Sequence, residues 1–158
     1  MDGVTDGAAP GPPLARLFAI AYRSLIDDLH AALRTRGWDD VRPAYGFVLL
    51  AARDGSTTVT ELVDLLGFTK QAASKLVDAM AAAGYVRREA TAADARRRPV
   101  VLTARGRTLL AAVEDVYRDL EARWAAAIGP DGVERLRADL VAVLAGPGGT
   151  LPPVRPTW

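Results

Sequence analysis

Apolar residues recur at three- and four-residue steps through Leu14, Leu17, Phe18, Ala21, Leu25, Leu29 and Leu33. That spacing lines one face of a helix and predicts a long amphipathic helix to about Arg36, closed by Gly37. After Pro43, Tyr45–Ala52 is short and almost wholly apolar, as a buried helix would be, and Asp54-Gly55 marks the turn behind it. Two short helices follow. Thr58 or Thr60 caps Glu61–Leu66, with Leu62, Leu65 and Leu66 as its stripe and Gly67 as its end. Thr69 caps Lys70 to Ala83, which keeps Ala73, Leu76, Val77 and Met80 on one face and ends at Gly84. The period then changes to two. Tyr85–Glu89 and Val100–Leu102 are β-prone runs flanking the polar, Arg-rich segment Ala90–Pro99, a hairpin signature. Thr103 caps a long helix with Leu109, Val113, Val116, Tyr117, Leu120, Trp124 and Ile128 in one stripe. Pro130 opens a last helix, with Val133, Leu136, Leu140, Val143 and Leu144 facing inward. Residues 1–13 and 146–158 are Gly/Pro-rich and are expected to be tails without regular structure.

Two short helices joined by a Gly-containing turn, the second with a small polar outer face, form a helix-turn-helix. A recognition helix must bury one face to be rigid and present short hydrogen-bonding side chains on the other. Lys70, Gln71, Ala72, Ser74 and Lys75, behind the cap Thr69, meet that need. Gln suits adenine, Lys suits guanine, Ser suits either, and an alanine methyl suits thymine. The hairpin behind it reads as a wing, with Arg96, Arg97 and Arg98 placed for a narrow minor groove or for phosphate.

Charge sharpens this picture. The 158 residues carry a net charge of +1. Segment 68–107, however, holds nine Lys/Arg against three acids, a local +6 that leaves −5 on the rest. A basic centre in an acidic frame is the footprint of a nucleic-acid surface.

Composition removes other classes. With no Cys and one His, thiolate zinc, iron–sulfur, thiol-switch and His-rich metal sites are excluded, and neither metal nor cofactor is expected. The acid pairs Asp27-Asp28 and Asp39-Asp40 are sequence neighbours, ~100° apart on a helix, and do not converge on a substrate. No Gly-rich phosphate loop follows a strand, so an enzyme is not expected. Without a long apolar run or a secretory-type leader, a cytoplasmic protein with no membrane partner is expected.

Four pieces stand in order: Gly67-Phe68-Thr69-Lys70-Gln71-Ala72-Ala73-Ser74-Lys75-Leu76-Val77-Asp78, Gly84-Tyr85-Val86, Asp94-Ala95-Arg96 and Leu102-Thr103-Ala104-Arg105-Gly106. Together with the flanking long helices, over residues 14–145, they resemble the MarR family of winged-helix regulators. The chain departs from it with Gln71-Ala72-Ala73 where Ser-Thr-Val-like residues are frequent. The resemblance implies a mainly α fold: a winged helix-turn-helix lobe (about 42–106) with a two-stranded β-wing, and long dimerisation helices (about 14–36 and 104–145). It also implies that Asp94 orients the wing and Arg96 enters the minor groove. Family members often bind small aromatic or phenolic effectors between the dimer helices and the lobe. The candidates here are Tyr22, His30, Trp38, Tyr45 and Phe47, with Arg23 or Arg53 as counter-charge.

The apolar stripes Leu14–Leu33 and Leu109–Ile128, with the last helix, exceed what one small lobe can cover, which points independently to a homodimer. Its two recognition helices, ~34 Å apart, would read a palindrome of double-stranded DNA. The family resemblance implies repression as the commoner outcome. A winged-helix module that binds a protein partner instead of DNA is the alternative, against which the Arg-rich wing argues.

Overall fold

The computed structural model describes residues 11–89 and 98–152. Helix α1 (Leu14–Thr35) runs to Arg36, and Gly37 follows at φ 84°. Its apolar stripe is buried only at its C-terminal end, where Leu29 and Leu33 enter the core. Leu14, Leu17, Phe18 and Ile20 stay exposed. Arg36–Asp119 at 3.1 Å and Arg123–Asp28 at 2.6 Å tie α1 to α5 (Ala104–Ile128).

Helix α2 (Tyr45–Ala51) is buried through Tyr45, Val48 and Leu49, but Leu50 is 47% exposed, so the unbroken apolar run is buried on one face only. Thr58 rather than Thr60 caps α3 (Val59–Leu66), in a full capping box with Glu61. The box satisfies two helix-end donors at once. Gly67, at φ 64°, ends α3 in the left-handed region and turns the chain toward α4 (Lys70–Ala82).

The hairpin forms β2 (Val86–Arg88) and β3 (Val100–Leu102), paired antiparallel with Val86 opposite Leu102 and Arg88 opposite Val100. A third strand that the sequence pattern does not predict, β1 (Ser56–Thr57), pairs with β3, giving the order β1-β3-β2. The wing thus grows from a three-stranded sheet that buries Thr57, Val86, Val100 and Leu102 against the helices.

Helix α5 carries Leu109, Val113, Val116 and Leu120 into the core, then leaves it, with Ile128 51% exposed. Helix α6 (Pro130–Leu144) begins at Pro130 as expected but buries no residue. Val143, expected inward, is 81% exposed and Leu144 53%. The periodicity identifies the apolar face correctly, but at its last turn Val143 and Leu144 remain exposed. The C-terminal segment also departs from the expected structureless tail. Pro147–Gly149 form a 3₁₀ turn whose glycines Gly148 and Gly149 adopt positive φ, and Gly146 N donates to Thr150 O at 3.0 Å.

Candidate nucleic-acid interface

Helix α4 is anchored from below by Ala73, Val77 and Met80, each fully buried. Thr69 Oγ1 accepts from Ala72 N at 3.1 Å and fixes the first turn. On the opposite side Lys70, Gln71, Ala72 and Lys75 are exposed and Ser74 is half-buried. All six recognition-helix candidates, Thr69 included, therefore share one outer surface. Of the wing candidates, Arg98 is exposed at the foot of β3. Asp94, Arg96 and Arg97 lie outside the described residues.

Sequence reasoning missed a brace behind this surface. Arg88 on β2 donates from Nη2 to Asp78 Oδ1 at 2.8 Å and to Ser74 Oγ at 3.3 Å, joining wing strand and recognition helix. The signal was present in the period of two: Arg88 shares the inward register of buried Val86.

A second unforeseen cluster locks the lobe to the loop after α1. Tyr85, fully buried, donates its hydroxyl to Asp40 Oδ1 and packs against Trp38 (centroids 6.1 Å) and Tyr45 (5.9 Å). The Arg105 guanidinium lies 4.9 Å from the Tyr85 centroid and 5.2 Å from that of Trp38, within cation–π range. Burial and the hydrogen bond to Asp40 push the Tyr85 hydroxyl pKa above its ordinary value, against the opposing Arg105. It stays a neutral donor.

The effector candidates do not converge on one cavity. Tyr45 is 3% exposed within the core, Trp38 is half-buried under Arg105, Phe47 is half-buried, and Tyr22 and Arg23 are exposed on α1. The proposed counter-charge Arg53 pairs with Glu114. An apolar groove of about 520 Å³ opens elsewhere, between α1, α5 and α6, lined by Leu25, Tyr117, Trp124, Val133, Leu136 and Leu140 among others. None of the effector candidates lines it.

His30 is half-buried, and its Nε2 has no hydrogen-bond partner among the described residues. Desolvation and the nearby Arg34 lower its pKa, outweighing the Val41 backbone hydrogen bond and Asp27. The unfolded chain, with an ordinary histidine near 6.5, then takes the proton more readily than the folded one. Stability from this group is complete above that value and is lost as pH falls toward the lower folded pKa. Urea midpoints at pH 7.5 and 5.5 are expected to drop more in wild type than in His30→Gln; equal drops would refute the assignment.

The sequence profile described as "MarR family" matches residues 47–97, which run from α2 through α4 to the wing. The reduced form of MarR from E. coli superposes with a TM-score of 0.71 at 26% identity, covering 85% of this chain and 98% of that one. Profile and fold together make the chain similar to MarR-family regulators.

Other MarR-family relatives extend the comparison. A mutant E. coli MarR complexed with operator DNA matches at 25% identity and a TM-score of 0.69, over 84% of this chain and 94% of that one. The MarR family protein Rv2887 of Mycobacterium tuberculosis, in complex with salicylic acid, matches at 26% identity and a TM-score of 0.64, over 86% and 99%. The exopolysaccharide II synthesis transcriptional activator ExpG of Rhizobium meliloti is 31% identical over 108 residues, 68% of this chain. The match spans 56% of ExpG, little more than half its length.

Proposed function

We propose that this chain is a MarR-family transcriptional regulator that binds double-stranded DNA as a homodimer, inserting α4 into the major groove and the wing beside it. The observation that carries this reading is the outer face of α4. Lys70, Gln71 and Lys75 are exposed side by side on a helix whose opposite face is fully buried. That is the combination of rigidity and hydrogen-bonding reach that base readout needs. The operator complex of the related MarR supports it. In this reading Arg96 enters the minor groove, Arg97 and Arg98 serve the groove or flanking phosphates, and Asp94 orients the wing.

The finer parts follow from the same arrangement. A two-fold dimer reads a palindrome, and seated on a promoter it blocks polymerase without any further contact, so repression is the default outcome. ExpG, named as an activator, defines the opposite result in a promoter–reporter assay. The salicylic acid complex of Rv2887 supports a small aromatic effector. A cytoplasmic location fits this role, and among the described residues no helix is long and apolar enough to cross a membrane.

The deciding experiment is fluorescence anisotropy of the full chain on duplex DNA from upstream of its own gene, against random duplex, at two salt concentrations. Preference for the upstream duplex is expected, with a log–log salt slope of about −0.9 per phosphate neutralised. Lys75→Ala is expected to weaken binding by about 1–3 kcal/mol with the fold intact. No binding to either duplex at low salt would overturn the proposal in favour of a protein partner.

A further inference from the structure

Arg88 is a cation on a strand, in the register that faces inward. Its side chain is 24% exposed, whereas the Asp78 side chain it neutralises is 64% exposed on the outer part of α4. Ser74 and Asp78 stand one helical turn apart, and a single guanidinium nitrogen, Nη2, bonds both. We propose that Arg88 is a positioning residue that sets what Ser74 recognises: the Ser74 hydroxyl is held as a donor toward a hydrogen-bond acceptor on the duplex. This rests on the DNA-binding reading above and adds a rule for base choice to it.

A serine hydroxyl has one proton to give and two lone pairs to receive with. Arg88 occupies one lone pair with a charged donor, which polarises the O–H bond and strengthens the outward donation. A second incoming donor, such as the cytosine amino group, would have to approach an oxygen already facing a cation. Acceptors meet no such opposition: guanine N7 and O6, adenine N7, thymine O4, or a phosphate oxygen. Arg88 also masks Asp78, whose carboxylate would otherwise repel the DNA backbone. Without touching DNA, Arg88 thus influences both the base preference of α4 and its electrostatic tolerance of phosphate.

The test starts from duplexes randomised over their central base pairs and selected with the wild-type chain. Failure to enrich any sequence would overturn the DNA-binding reading, and this proposal with it. With a preferred duplex in hand, anisotropy is measured for wild type, Ser74→Ala, Arg88→Met and the double variant on every single-base substitution. In the wild-type background Ser74→Ala is expected to lower affinity roughly two- to tenfold, the worth of one hydrogen bond. In the Arg88→Met background the same change is expected to cost nothing further. A loss confined to one base pair identifies a base acceptor, and a loss equal on all sequences identifies a phosphate; both support the proposal. Equal costs of Ser74→Ala in the two backgrounds would overturn it, as would, where the Ser74→Ala loss is confined to one base pair, an Arg88→Met protein with the wild-type preference at that pair. Arg88→Gln, similar in length but uncharged, replaces Arg88→Met if the latter melts early and is read in the same way.

Discussion

Gly106→Ala is expected to destabilise the fold by about 3 kcal/mol or more, among the largest effects a single methyl group can have. A Cβ at this position would lie 2.0 Å from the Tyr85 carbonyl oxygen and 3.0 Å from its carbon, both backbone atoms. That carbonyl is not free to retreat. It accepts from Thr103 N at 3.0 Å and from Thr103 Oγ1 at 3.1 Å, and Thr103 in turn caps α5 by accepting from Gly106 N at 3.0 Å. Any shift therefore breaks the cap or the junction of α4 with β2. The gain in helix propensity, about 1 kcal/mol for Gly to Ala, is too small to offset this. Gly46→Ala is the control: it lies in α2, where an added Cβ would have nothing within 4 Å, and should be neutral or slightly stabilising. Thermal melts of both variants settle the matter, and a Gly106→Ala protein that melts with wild type refutes the packing argument.

Gly106 also shows what a sequence does and does not disclose. Its place in the Leu102-Thr103-Ala104-Arg105-Gly106 run marked it as part of a motif, yet the reason for glycine is a carbonyl twenty-one positions upstream. Helices were legible because their determinants are local: the stripes of α1 and α5, the caps Thr69 and Thr103, and the stops at Gly67 and Gly84 all act within a few residues. Strand β1 was not legible. Two residues, Ser56 and Thr57, carry no period, and their partners Val100 and Val101 lie more than forty positions away. Val143 illustrates another limit. Periodicity identifies an apolar face but is silent on whether the same chain covers it.

For the recognition surface the same division holds. The outer face of α4 could be read directly because one helix presents all of it. The Arg88 brace depends on how a strand is set against a helix, and the Trp38–Tyr85–Arg105–Asp40 cluster joins three separated segments, so neither is a local pattern. The aromatic effector candidates were chosen by their helix spacing and their order in the chain. Tyr45 went to the core with Tyr85 because it shares the inner face of α2 with buried Val48 and Leu49.

The uncovered faces of α1 and α6 lead to the second large effect, which concerns assembly. Phe18 on α1 is 46% exposed and Val143 on α6 is 81% exposed, and the apolar groove between α1, α5 and α6 runs between these helices. In the proposed homodimer the partner protomer covers these surfaces. Each fully buried Leu, Val or Phe side chain then contributes roughly 1.5–3 kcal/mol. Because a two-fold interface uses the same patch twice, one substitution places two charges in it. Val143→Glu and Phe18→Glu should each leave the isolated protomer folded, since neither side chain is buried within it, but bury unpaired carboxylates at several kcal/mol apiece in the dimer. Sedimentation is expected to show dimeric wild type and monomeric variants with unchanged helical circular dichroism. Affinity for a palindromic duplex should fall about a hundredfold or more, because the second lobe no longer binds at the high effective concentration that linkage provides. Affinity for a half-site should change little, since α4 and the wing are untouched. A wild-type chain that sediments as a monomer at micromolar concentration would refute the dimer, and a monomeric variant that holds the palindrome as tightly as wild type would refute the two-lobed mode of binding.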